Sequence, residues 1–347
     1  MPDDRKIGFY SFVVIWLFTI DILYAQAKRP TPVPDGGYGS RSLELCHPSN
    51  GVQCESKKSL YGYSSPKRVS WYIPSQLRHG DTAPVVVYLH GFFSLVPQIY
   101  ESHIFHLTRQ GYIVIFPQYQ GGLLNLLPDM GLIREVVQQD WLNQAIKSVD
   151  QVLKKLGSKV ERDAIYGYGH SLGGAMLLGW EASGGVPLAG MVLANPQVDP
   201  KKGMPEAVRK YVKIKPLAWR VQSRAVSCRV MVLTGSDDDI ASPASAKEIS
   251  RHLLHAKSRV VYEIQSDHHG DPALLADHFA PMTNGGLLEK ANDSIEKFGG
   301  RIELNGYDHR FYYAALDALL AGEERVEFDL GVWSDNVPVK PVLVHSF

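Results

Sequence analysis

The chain has 347 residues, 45% apolar and 21% charged, with 36 basic against 36 acidic side chains. These values belong to a globular chain with room for a substantial core, and they exclude both disorder by composition and a strongly basic polyanion binder. No basic block is interleaved with aromatic residues, so no nucleic-acid partner is expected.

At the N-terminus, Arg5 and Lys6 precede the apolar run IGFYSFVVIWLFTI and then DILYAQA. A basic n-region, an apolar h-region and the small-residue site Ala25-Gln26-Ala27 predict a signal peptide over residues 1–27 and a secreted or periplasmic mature protein beginning near Lys28. The alternative is an N-terminal membrane anchor. Asp21 interrupts the apolar run and leaves it shorter than the ~20 residues a spanning helix needs, so no stable span is expected after cleavage. Export to an oxidising compartment predicts a Cys46–Cys54 disulfide, with Cys228 free and buried in an apolar run. The cysteine spacing matches no zinc motif.

Residues 28–66 are rich in Gly, Pro and Ser and predict an irregular lead-in. From residue 67 to 347 the chain reads as one domain. The alternating run RVSWYIP comes first, then PVVVYLHGFF, whose Val85–Leu89 core suits a strand buried on both faces. A helix around Tyr100–Gln110 and the buried strand YIVIFPQY follow. Within residues 131–156, Leu142, Ala145, Ile146, Val149, Val152, Leu153 and Leu156 recur with the period of an amphipathic helix, which Gly157 stops. Next come the strand DAIYGYG, a helix from Ser171 to about Ala182, and the strands LAGMVLA and RVMVLTG. A helix near Ser245–His255 and the strand SRVVYEIQ complete the series. Strand and helix alternate, which predicts right-handed crossovers into one mostly parallel sheet with helices on both faces.

Two segments break this rhythm. Residues 198–226 form an insertion of a size to act as a small cap, and residues 281–347 predict a C-terminal tail packed on the same domain. Asn292-Asp293-Ser294 within the tail is a glycosylation sequon, meaningful only in a host that glycosylates exported proteins.

The stretch AIYGYGHSLGGAM carries the sharpest chemical signal. A Gly-x-Ser-x-Gly pattern alone is common in glycine-rich chains. Set between a buried strand and a helix, it predicts a nucleophile elbow. The glycines permit a strained turn, Ser171 stands at its apex, and the helix N-terminus favours negative charge. A serine hydroxyl is a poor nucleophile and an ester carbonyl a poor electrophile, so the site also needs a base, an acid to orient it, and donors for the developing oxyanion.

With these motifs in hand, the chain resembles the α/β-hydrolase superfamily over most of residues 67–280. VVVYLHGF is similar to that family's oxyanion strand and GHSLGG to its nucleophile elbow. VLTGSDDDIASP is similar to its acid turn, and QSDHHG to its histidine loop. Within the superfamily the combination resembles secreted esterases and lipases of the cutinase and polyester-hydrolase kind, and chlorophyllase-like proteins. The resemblance implies an α/β-hydrolase fold and a Ser…Asp…His triad that cleaves carboxylic esters through an acyl-enzyme, without a cofactor. The substrate would be a small-molecule, lipid or polymer ester.

Among Asp237, Asp238 and Asp239, the family spacing favours Asp238 as the acid. Among His268, His269 and His278, it favours His269 as the base, with His278 in ADHFAP assigned to ordering the following loop. The oxyanion donors implied are the backbone N–H groups of Leu172 and Phe92, and the side chain of Phe92 or Phe93 is a candidate for an apolar pocket. His170 reads as a structural or pocket-lining residue. Three other readings stay open. Asp267, His268, His269 and Asp271, joined by the three aspartates, offer oxygen and nitrogen ligands for a metal. A different acyl substrate (thioester, amide or peptide) would suit the same triad. A binding protein that kept the fold and lost turnover is the non-enzymatic alternative.

Overall fold

The computed structural model describes residues 26–33, 55–60, 68–92, 94–121, 134–203, 212–283 and 300–347. The anticipated leader up to residue 25, Cys46, Cys54, Phe93 and Asn292 lie outside the described residues.

Nine strands form one sheet in the order β1-β2-β4-β3-β6-β7-β9-β10-β11. They are β1 (Glu55–Leu60), β2 (Val69–Pro74), β3 (Ala83–Leu89), β4 (Ile113–Pro117), β6 (Val160–His170), β7 (Gly190–Ala194), β9 (Arg229–Gly235), β10 (Ser258–Ile264) and β11 (Leu343–Ser346). A separate two-stranded sheet pairs β5 (Arg134–Val137) with β8 (Val212–Lys215) in parallel. From β4 to β10 the main sheet is parallel throughout, while β2 and β11 run against that block and β1 pairs antiparallel with β2 at the edge. The fold is the α/β architecture expected.

Side-chain alternation along the central strands divides the core into two layers. Val86 and Tyr88 of β3 point to one face and Val85, Val87 and Leu89 to the other. The second face is covered by α2 (Gln138–Leu156), α3 (Leu172–Leu178), α4 (Trp219–Gln222) and α5 (Pro243–His252). The first is covered by α1 (Glu101–Arg109) together with the C-terminal segment, where a π-helical turn (Asp308–Tyr313) runs into α6 (Ala314–Leu320). Residues 302–339 therefore supply much of one core layer, including Phe311, Tyr312, Leu316, Leu319 and Trp333. A buried contact fastens α6 to α1: His106 Nε2 donates to Asp317 Oδ2 at 2.7 Å, and Gln110 Nε2 donates to Asp317 Oδ1 at 2.8 Å.

Three local expectations change. The lead-in assigned to residues 28–66 includes β1, which pairs with β2 along six residues. The helix anticipated within 131–156 begins only at Gln138, because the β-branched Val136 and Val137 pair with Ile214 and Lys215 of β8. Ala27, counted with the leader, is buried in the first core layer, and its carbonyl accepts the Asp271 N–H at 3.0 Å. Arg29 then reaches the Pro272 and Ala273 carbonyls and Glu303, so the folded part starts before the expected boundary. Cys228 is free and buried, and desolvation pushes its thiol up to about 12.

Candidate active site

The turn between β6 and α3 is sterically dictated. Ser171 sits at φ 55° and ψ −118°, outside the usual regions for a residue with a side chain. The chain can pass only because its neighbours lack side chains. A Cβ on Gly173 would meet the Leu89 carbonyl oxygen at 2.2 Å, and one on Gly169 would meet the Gly173 backbone at 2.5 Å. The turn is held by the Ser171 N–H on the Ala194 carbonyl (2.9 Å) and by the Gln197 N–H on the Ser171 carbonyl (3.0 Å). Strain held in place this way projects the hydroxyl from the carboxyl end of the sheet.

One side chain reaches that hydroxyl and a second, beyond another strand, reaches the first. His278 Nε2 lies 2.8 Å from Ser171 Oγ, and His278 Nδ1 lies 2.8 Å from Asp238 Oδ2. A carboxylate only accepts, so Nδ1 carries the proton and Nε2 is left to accept from the serine. Asp238 follows β9, and its side chain is 0% exposed. Its second oxygen, Oδ1, accepts the backbone N–H groups of Ile240 (2.9 Å) and Ala241 (2.6 Å), which fixes the carboxylate toward the ring. The His278 side chain is 8% exposed. Beside it, burial raises Asp277 to about 6 while its oxygens accept the N–H groups of Phe279 and Arg301.

The histidine expected to face the serine does not. His269 points outward with its side chain 36% exposed, and its Nε2 meets Asp335 Oδ2 at 2.8 Å. His268 is also exposed. The reason is the path of the chain after β10. Asp267 and Leu274 exchange backbone hydrogen bonds, the Ala276 carbonyl accepts the Asp237 N–H at 3.0 Å, and only then does His278 come over Ser171. His278, assigned from sequence to ordering a loop, is the histidine the structure brings to Ser171. A local signal was present: Ala276, Phe279 and Ala280 make its setting apolar, while SDHHGD is polar throughout.

Asp237 and Asp239 are exposed, and Ser236 Oγ donates to Asp237 Oδ1 at 2.9 Å. Asp267, offered as a metal ligand, has its oxygens on Trp333 Nε1 (3.0 Å), the Lys340 N–H (3.0 Å) and the His269 N–H (3.1 Å), where it anchors the tail. Among the described residues no group of three His, Cys, Asp or Glu side chains is arranged to hold a metal ion.

Leu172 opens α3, where first-turn N–H groups have no partner within the helix, and Phe92 lies in the turn after β3. Both line a cavity of about 140 Å³ into which Ser171 and His278 face. Its walls are largely apolar, Ile214, Ile240, Phe279 and Met282 among them, with Gln138 and Gln197 as polar groups. The insertion contributes Pro200, Lys202, Gly203 and Ile214 to the wall, so the segment read as a cap does border the site. The Phe92 ring also meets Trp141 at 6.0 Å between centroids. Among the described residues no helix is long and apolar enough to cross a membrane.

Among curated proteins, none matches this chain. Compared with known families, residues 49–252 match chlorophyllase, a stretch that spans both the elbow at Ser171 and the acid turn at Asp238 and stops before His278. Since this match covers more than half of the chain, the protein belongs to the chlorophyllase family, an α/β-hydrolase-type family of ester hydrolases.

Proposed function

We propose that the protein is a serine esterase that hydrolyses carboxylic esters bearing an apolar group, through an acyl-enzyme on Ser171. The observation that carries this reading is the continuous relay from Ser171 Oγ to His278 Nε2 and from His278 Nδ1 to Asp238, set in an apolar cavity. Ser171 Oγ attacks the ester carbonyl carbon as its proton passes to His278 Nε2. Asp238 holds the ring's tautomer and stabilises the imidazolium without taking the proton itself. The carbonyl oxygen, now negative, accepts from the N–H groups of Leu172 and Phe92. His278 returns the proton to the departing alcohol, leaving Ser171 acylated. Water then attacks the acyl carbon, giving its proton to His278, and the carboxylic acid leaves as Ser171 regains its hydrogen.

The apolar lining favours an ester with an apolar acyl or alcohol portion over a charged peptide. A panel of chromogenic esters of graded acyl length, run with and without a fluorophosphonate, tests the reading. Turnover that the probe abolishes, with the probe mapped to Ser171, is the expected result. A folded protein that neither turns over any ester nor takes up the probe at Ser171 sinks it and leaves the binding-protein alternative.

We also propose that the chain is exported. The support is the order of the basic n-region, apolar run and small-residue site within the first 27 residues. Expression of the full chain with a search for mature protein outside the cytoplasm tests this, and full-length protein retained with the membrane overturns it.

A further inference from the structure

The residue preceding the nucleophile makes two hydrogen bonds that the chemistry above does not use. His170 is buried, with its Nε2 at 2.9 Å from the backbone oxygen of His278 and its Nδ1 at 2.8 Å from the Tyr100 hydroxyl. The same hydroxyl accepts the Gly91 N–H at 3.0 Å. A carbonyl only accepts, so the hydrogen sits on His170 Nε2. Nδ1 of the neutral ring then accepts from Tyr100, whose oxygen remains free to accept from Gly91. Each group in the series is satisfied with the ring neutral. Burial, reinforced by nearby His278, pushes His170 down to about 3 and keeps it so.

We propose that Tyr100 and His170 are positioning residues that fix the oxyanion turn and the base relative to each other around Ser171. This rests on the serine-esterase reading above. The two parts they join come from strands that are not neighbours: Gly91-Phe92 follows β3, His278 follows β10, and β6, β7 and β9 lie between. Holding the Gly91 N–H fixes the turn that presents the Phe92 N–H. Holding the His278 carbonyl fixes the backbone from which the imidazole reaches Ser171. The packing is close: a Cβ on Gly91 would lie 3.1 Å from His170 Nδ1, 3.3 Å from the Tyr100 oxygen and 3.4 Å from Ser171 Cβ, pressing on all three. The neutral ring has a second consequence. The His170 and His278 rings are 5.3 Å apart, so a cation on His170 would oppose the imidazolium that His278 must become.

Tyr100→Phe keeps the ring against Tyr88 and Phe116 while leaving the Gly91 N–H without its acceptor and His170 Nδ1 without its donor. With a short-chain chromogenic ester, and rates expressed per site titrated to completion with fluorophosphonate, kcat should fall on the order of ten- to a hundredfold with KM within about twofold. His170→Phe should fall at least as far. His170→Gln, which can still donate to the His278 carbonyl and accept from Tyr100, should recover part of the loss. The double variant Tyr100→Phe/His170→Phe should be no slower than His170→Phe alone, because both changes break one unit. Parental kcat per titrated site in Tyr100→Phe overturns the proposal. So does a loss carried by KM, a glutamine no better than phenylalanine, or additive losses in the double variant. Failure of the underlying reading shows itself separately, as a parent protein that does not label at Ser171.

Discussion

His278 Nε2 lies 2.8 Å from Ser171 Oγ, although the two residues are 107 apart in the sequence. This contact orders the histidines. His278→Ala should lower kcat/KM by about a thousandfold or more, as for a base that acts as one unit with its nucleophile. His269→Ala removes a pairing with Asp335 at the surface and should change the rate by less than about twofold. Steady-state kinetics on one chromogenic ester decide it, and the reverse ranking would restore His269 as the base.

The aspartates should separate just as sharply. Asp238→Asn leaves His278 Nδ1 facing an amide, destabilises the tautomer that accepts from Ser171, and should cost on the order of a thousand- to ten-thousandfold in kcat. Asp237→Ala and Asp239→Ala alter exposed side chains and should retain activity within a few-fold. Equal losses at all three positions would mean that the turn, rather than one carboxylate, is what matters.

Ser171→Ala should abolish fluorophosphonate uptake with little effect on folding, while Gly173→Ala should disturb both. The added methyl meets the Leu89 carbonyl, which belongs to a central strand and has little freedom to retreat. A loss of about 1–3 kcal/mol in urea unfolding is expected for Gly173→Ala, with displacement of the elbow and slower labelling. An alanine variant with parental stability and parental labelling would show that the strand does yield.

Stability should fall as pH drops from 7 to 5. Burial lowers His90 and His309 to about 4 and His170 to about 3, and holds His103 well below its ordinary value. The unfolded chain protonates these side chains below about 6.5 while the folded chain does not. Their favourable contribution is therefore present above that pH and is lost on acidification, by about 1.4 kcal/mol per pH unit for each proton difference. Asp277, raised to about 6, and Asp308, raised by burial, act the other way: their contribution is present below the unfolded carboxylate range and lost as pH rises through the folded value. Four histidines against two aspartates leave a net loss toward acid. Urea midpoints at pH 7 and pH 5 measure it, and an equal or higher midpoint at pH 5 contradicts it.

A chain that begins at Lys28 should be less stable than one that begins at Gln26. The shorter chain loses the buried Ala27 and leaves the Asp271 N–H without the carbonyl it now uses. A decrease of about 2 °C in Tm is expected, in line with roughly 1 kcal/mol in a chain of this size. Identical melting curves for the two chains would show that Ala27 contributes nothing to the fold.

The sequence by itself determined the alternating α/β order, the strand–turn–helix around Ser171 and the acid turn, because each is written within one short segment. Apolar runs ended by glycine specify buried strands, the 3.6-residue period specifies α2, and Gly169 and Gly173 flank a turn that no larger residue could enter. Asp238 was singled out from Asp237 and Asp239 only by the resemblance to the α/β-hydrolase family, while its physical difference from them is one of burial. Only the tertiary structure decided which histidine faces Ser171. After β10 the chain carries His268, His269 and His278, and no periodicity in that stretch states how far it runs before turning back over Ser171. The return is made by the short bridge between Asp267 and Leu274 and by the long-range bond from the Asp237 N–H to the Ala276 carbonyl, and these carry the first two histidines outward and the third over the serine. The tail was equally illegible as a core layer. Its aromatic residues find their partners on α1 and on the face of strands far earlier in the chain, and such pairings leave no period in the sequence.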